Sequence, residues 1–139
     1  MFLSCDLSKD THNKDLWLLD SGCNNHMTSN KNLLSYLDAS ITLEITLGDR
    51  SCINIEGKGI VPILTKQNQQ KYIPDVYYLP NLKHNLISVG QLMEHGYDVI
   101  FQGNTCNIYN KPPNRRLIVK VEKTKNMMFP LTLRSQNIS

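Results

Sequence analysis

Apolar residues in this sequence arrive in short runs, each closed by Gly, Pro, Asn or Asp, and that punctuation favours strands over helices. Leu16-Trp17-Leu18-Leu19 is continuously apolar and ends at Asp20-Ser21-Gly22, which predicts a strand buried on both faces that runs into a turn. Further on the pattern alternates. Ile41, Leu43, Ile45 and Leu47 point one way and Thr42, Glu44 and Thr46 the other, as in a half-buried strand. Gly48-Asp49-Arg50-Ser51 has hairpin-turn chemistry, and Cys52-Ile53-Asn54-Ile55 resumes the alternation on the return.

Gly57 and Gly59 predict a bulge or bend ahead of a strand over 60–64, and Pro74 inside a strand over 72–79 predicts an edge or a bulge. A second hairpin is expected about Gln102-Gly103-Asn104-Thr105, and two more strands over 117–121 and 128–133, separated by a basic turn. Helical spacing is brief. Leu33, Leu34 and Leu37 behind Thr28 and Ser29 predict a short helix or helical turn between 28 and 38, and Ser88 and Gly96 would cap and end a second helix. Many short strands with one or two short helices predict an all-β fold, a small closed β-barrel or β-sandwich.

The chain has 139 residues, 40% of them apolar, enough for one domain with its own core and too few for two similar lobes. No apolar run approaches a membrane span or a signal peptide, so the expectation is a soluble protein in the cytoplasm. Cys5, Cys23, Cys52 and Cys106 are scattered without a Cys-x-x-Cys pair and read as free thiols. A net charge of +3 is too small to argue nucleic-acid binding, and the basic cluster of Arg115, Arg116, Lys120, Lys123 and Lys125 reads as a solvated face.

The chemistry-bearing segment is Asp20-Ser21-Gly22. Aspartic proteolysis needs a carboxylate at the end of a buried strand, a hydroxyl beside it and a glycine where a substrate backbone comes close. By itself the tripeptide is also ordinary turn chemistry. Later in the chain, Leu86-Ile87-Ser88-Val89-Gly90 supplies an apolar pair, a small residue and a glycine opening a helix, which would cross behind the Asp20 loop.

These stretches, together with Cys23-Asn24-Asn25-His26-Met27-Thr28, Leu47-Gly48-Asp49, Glu56-Gly57-Lys58-Gly59 and the block from Asp75 through Leu79-Pro80-Asn81-Leu82 to Gln91-Leu92, resemble the retropepsin-like domain of a copia-type retrotransposon Pol polyprotein. The resemblance covers roughly 16–109, and it implies a closed barrel of the acid-protease type over 16–110 between a loose lead-in at 1–15 and, at 111–139, a basic linker similar to the start of the pre-integrase segment. It further implies an aspartic endopeptidase that processes a Gag-Pol-type polyprotein at extended peptide segments, in the cytoplasm or in virus-like particles. Only one Asp-Ser-Gly exists in the chain, so the second carboxylate would come from a homodimer partner.

On this resemblance Asp20 is catalytic, Ser21 locks the paired loops, and Gly22 admits the substrate backbone. Gly48, Asp49, Arg50 and Ser51 form a substrate-binding flap, and Val89 and Gly90 support the active loop. No metal or cofactor is implied. Two positions depart from retroviral relatives: Cys23 stands where alanine is common, and Arg50 where the flap is glycine-rich.

Other readings of the same residues are a Cys23–His26 nucleophilic pair, which leaves Asp20-Ser21-Gly22 unexplained, and a zinc site begun by Cys23-x-x-His26, for which two further ligands are not evident; against zinc, Cys23 reads as packing and His26 as a loop-stabilising hydrogen-bonder. Trp17 reads as core or interface, His84 and His95 as surface or helix-end residues, and Asn137-Ile138-Ser139 has the form of a glycosylation sequon. The alternative function is an inactive retrotransposon-derived β-barrel module that serves dimerisation or packaging.

Overall fold

A computed structural model describes residues 15–46, 50–65 and 67–136. The fold is all-β. The strands are β1 (Leu16–Asp20), β2 (His26–Thr28), β3 (Tyr36–Asp38), β4 (Leu43–Thr46), β5 (Cys52–Ile55), β6 (Lys58–Leu64), β7 (Gln70–Tyr78), β8 (Asn85–Ser88), β9 (Asp98–Gln102), β10 (Thr105–Tyr109), β11 (Leu117–Glu122), β12 (Phe129–Thr132) and β13 (Arg134–Ser135), with one α-helix, α1 (Val89–Glu94), after β8.

The main sheet runs β12-β1-β8-β2-β7-β6-β13, with β3 added on β6. Its first and last strands, β12 and β13, are separated in the chain by Leu133 alone. Residues two apart lie within about 7 Å, so the two ends of the sheet must meet there and the sheet must curl. Asp15 ties the junction: its carbonyl accepts from the Leu133 N–H at 2.8 Å and its carboxylate from the Ser135 N–H at 3.0 Å. The result is a curled sheet joined at its ends by a single residue, with no strand-to-strand ladder between β12 and β13 among the described residues.

β1 is buried on both faces, as its unbroken apolar run predicts. Trp17 and Leu19 enter one core cluster with Ile87, Val89, Val61 and Val76, which the β9-β10-β11 sheet covers through Cys106, Ile108 and Val121. Leu18 enters the other, with Cys23, Met27, Leu79, Leu82, Leu86 and Met128. The β4–β5 hairpin lies on this second cluster through Ile45, Ile53 and Ile55, while Glu44 and Asn54 pair on its outer face.

Of the short helix or helical turn expected between 28 and 38, only a turn forms. Thr28 belongs to β2, a single 3₁₀ turn at Lys31–Leu33 is capped by the Asn30 side chain, and Tyr36–Asp38 is a strand on β6. Leu33 is buried but Leu37 lies opposite Gly59 in a ladder, so the leucine spacing reflects two packing sites rather than one helical face. Gly59 is what permits the pairing, because a Cβ there would stand 2.0 Å from the Tyr36 carbonyl oxygen. Gly59→Ala is expected to push β3 from β6 and cost about 3 kcal/mol, read as a shift in urea midpoint; an unchanged midpoint would contradict this packing.

The Pro74 expectation holds in detail. The β6–β7 register shifts between Gly59 and Val61, where Gly59 faces Val76 and Val61 faces Ile73, leaving Pro74 and Asp75 in a bulge with Asp75 at φ +57°. The strands expected over 117–121 and 128–133 appear as β11 and β12. Both are built into the sheets, so the chain path offers no break at 110. Residues 1–14 of the lead-in expected at 1–15, the expected flap residues Gly48 and Asp49, and the sequon at 137–139 lie outside the described residues.

Candidate active-site loop

Asp20 ends β1 and is half-buried, while Ser21 and Gly22 are exposed beyond it. The Gly22 N–H donates to Asp20 Oδ1 at 2.6 Å, which fixes the carboxylate against its own loop. The Ser21 hydroxyl makes no hydrogen bond within the described residues.

Behind this exposed tip, the loop is held by polar groups from a distant part of the chain. Parallel pairing of β1 with β8 sets Asp20 opposite Ser88. The Ser88 hydroxyl donates to the Cys23 carbonyl at 2.8 Å and accepts from the Gln91 N–H at 3.0 Å, so it caps α1 and pins the loop at once. Gln91 is fully committed as well. Its Oε1 accepts from the His26 N–H at 2.8 Å and from Asn25 Nδ2 at 3.5 Å; its Nε2 donates to the Pro74 and Asp75 carbonyls in the β7 bulge, each at 3.2 Å.

His26 closes the network, accepting the Ser88 N–H on Nδ1 at 2.9 Å. That bond needs a lone pair on Nδ1 and therefore a neutral ring. Burial pushes the imidazole down to about 4; the charge of His95 at the end of α1 adds to this and Asp75 opposes it. The folded ring thus takes up a proton only near pH 4, whereas the unfolded one does so from 6.5 downward. Between those values the unfolded chain binds more protons, so stability falls as pH falls through that window and is flat above it. The expected loss is about 3 kcal/mol from pH 6.5 to 4. Urea unfolding at several pH values tests this: His26→Asn, which keeps an acceptor that does not titrate, is expected to remove the slope between pH 6.5 and 5, and equal slopes would contradict it.

The thiol of Cys23 is directed to the Asp20 carbonyl oxygen, 3.7 Å away. Burial, with the neighbouring Asp20 charge, pushes it up to about 12. It is a thiol and not a thiolate at any physiological pH, so the Cys23–His26 pair lacks a nucleophile. Among the described residues no three His, Cys, Asp or Glu side chains come together as metal ligands.

Of the residues expected to support the loop, Val89 is buried in the first core cluster and Gly90 is exposed on α1. The groups that touch the loop are Ser88, Gln91 and His26; sequence reading expects His26 as a loop-stabilising hydrogen-bonder, which it is, but does not single out Ser88 or Gln91 for this task. For Ser88 and Gln91 the only signal is polarity: they interrupt the apolar residues about them, and all three side chains are nearly fully buried. Of the expected flap, Arg50 at φ +68° and Ser51 are exposed at the base of the hairpin turn. The body of that hairpin shares the core cluster of Cys23, which puts hairpin and loop on the same side of the sheet.

Residues 17–97 match the family described as "Pol polyprotein, beta-barrel domain". The chain belongs to this family. Two relatives extend the comparison. The putative transposon Ty5-1 protein of Saccharomyces cerevisiae is 37% identical over 73 residues, covering 52% of this chain and 47% of the yeast protein. The retrovirus-related Pol polyprotein from transposon RE1 of Arabidopsis thaliana is 36% identical over 80 residues, covering 55% of this chain and 5% of that polyprotein. This Pol β-barrel domain therefore spans about half of the one relative and a small part of the other. No solved structure matches it significantly. The family match takes in Asp20, Ser88, Gln91 and His26 and stops before β9, so β12, the strand beside β1, lies outside it.

Proposed function

We propose that this Pol β-barrel domain is one half of an aspartic endopeptidase that cuts extended segments of a Gag-Pol-type polyprotein. The observation that carries the reading is the Asp20 carboxylate. It sits at the end of a strand buried on both faces, aligned by the Gly22 N–H, on a loop with an exposed tip and a pinned base. A carboxylate used only for turn formation does not need a loop anchored by three buried polar side chains from three other elements.

One such carboxylate is not enough. The chain contains a single Asp-Ser-Gly, so a second copy related by a twofold axis would bring the other Asp20. At close range the two carboxyls would share one proton, one acting as base toward a water and the other donating to the scissile carbonyl oxygen. The Ser21 hydroxyl, unbonded among the described residues, would bond across the twofold axis. The β4–β5 hairpin would lay a strand edge over the bound peptide and exclude water. The test is cleavage of a polyprotein-derived peptide by the wild-type chain and by Asp20→Asn, from acidic to neutral pH. Loss of cleavage in the variant supports the reading; equal cleavage by both, or none by a chain shown to dimerise, overturns it.

A further inference from the structure

We infer that His26 is a positioning residue for the Asp20 loop, holding it through Ser88 only while its imidazole is neutral. For its catalytic consequence this rests on Asp20 being the working carboxylate; the bond path itself stands apart from that.

The path is short. His26 Nδ1 accepts from the Ser88 N–H, and the Ser88 hydroxyl spends its single proton on the Cys23 carbonyl, three residues beyond Asp20. A proton on Nδ1 would set two N–H groups against each other at 2.9 Å, so one side must move. His26 is the better held of the two: β2 pairs with β7 from His26 to Thr28 and the His26 N–H is bonded to Gln91, whereas Ser88 is the last residue of β8 and of its ladder with β1. What yields is the Ser88 end of β8, and with its hydroxyl goes the pin on the segment 21–25, which carries the Gly22 amide bonded to Asp20.

The groups that bias His26 come from three elements. Asp75 in the β7 bulge favours its cation and is itself paired with Lys58 of β6 at 3.4 Å; His95 at the end of α1 disfavours it. Cys23 and Asp20 lie on the loop side, and β8 contributes no charged residue. An aspartic dyad sharing a proton works on the acidic side of neutrality. The loop holding this Asp20 therefore weakens where such a dyad gains its proton, and His26 rather than a carboxyl sets the acid limb of activity.

The experiment follows the backbone amides of Gly22, Cys23 and Asn24 and the His26 ring by NMR from pH 7 to 3.5. It is done in the Asp20→Asn background, so that no Asp20 titration moves those amides. The amides are expected to shift with the ring, at one shared midpoint well below that of an ordinary imidazole. In His26→Asn that transition is expected to vanish. In Ser88→Ala the ring is expected to titrate while the Cys23 and Asn24 amides no longer follow, which keeps the test open should His26→Asn fail to fold. Amides that ignore the ring, or that follow it unchanged in Ser88→Ala, overturn the inference. In chains that retain Asp20, the acid limb of peptide cleavage is expected to move to lower pH in His26→Asn, and an unmoved limb counts against it. Absence of any cleavage would overturn the peptidase reading alone, since the amide titrations decide the positioning role independently.

Discussion

An equal mixture of wild-type and Asp20→Asn chains, unfolded and refolded together, is expected to retain about a quarter of the cleavage activity of the same total amount of wild type. The Asp20→Asn chain alone is expected to lose activity by roughly 10⁴-fold, as removal of a catalytic group generally does. The mixture says more. If each active centre needs an Asp20 from both copies and the copies pair at random, the active fraction is the square of the wild-type fraction. At tenfold excess of the variant about 1% would remain, against about 9% if each chain worked alone. A linear dependence would remove the shared-dyad mechanism even if cleavage itself were real. Asn is the right replacement because it keeps an oxygen for the Gly22 N–H and removes only the charge and the titrating proton.

The second large effect is on stability. Gln91→Met keeps much of the side-chain volume and deletes four hydrogen bonds at once, leaving the His26 N–H and the Pro74 and Asp75 carbonyls without their partner. Each buried group left unpaired costs about 1–3 kcal/mol, so a loss near 4 kcal/mol is expected. That is a large share of the 5–15 kcal/mol that holds a domain together. For a chain of this size, Tm would fall by roughly 15 °C. Met93, exposed on the same helix, is the control: Met93→Gln is expected to change stability by less than about 0.5 kcal/mol. A Gln91→Met chain as stable as the control would mean that the bulge and β2 are held by the apolar core alone.

The contrast between these residues and the rest of the fold explains what the sequence revealed. β1, both hairpins and the α1 cap were legible because their causes are local: an unbroken apolar run, period-two alternation, turn residues, and a serine three residues before the amide it caps. β3 was not, because nothing in Tyr36–Asp38 marks a strand; its partner is a glycine 22 positions after Leu37 that lets two backbones approach. The site divides the same way. Asp20-Ser21-Gly22 declares itself by residue type, but the His26–Ser88 bond spans 62 positions and the Gln91–His26 bond 65. Bonds between side chain and backbone over such separations leave no periodicity to read.

The single-residue link at Leu133 also sets an order of events for a chain made as part of a longer polyprotein. β1 pairs with β8 on one side and β12 on the other, and β12 reaches it only in the last stretch of the described chain. Until residues 129–135 have left the ribosome, the strand that ends in Asp20 has a bare edge, the kind of edge that invites pairing with another chain. Asp20 is among the first residues of the domain to be synthesised, yet its strand is among the last to be enclosed. A nascent polyprotein would thus carry its carboxylate early and complete the strand's enclosure late, a delay written into chain order rather than into any inhibitor.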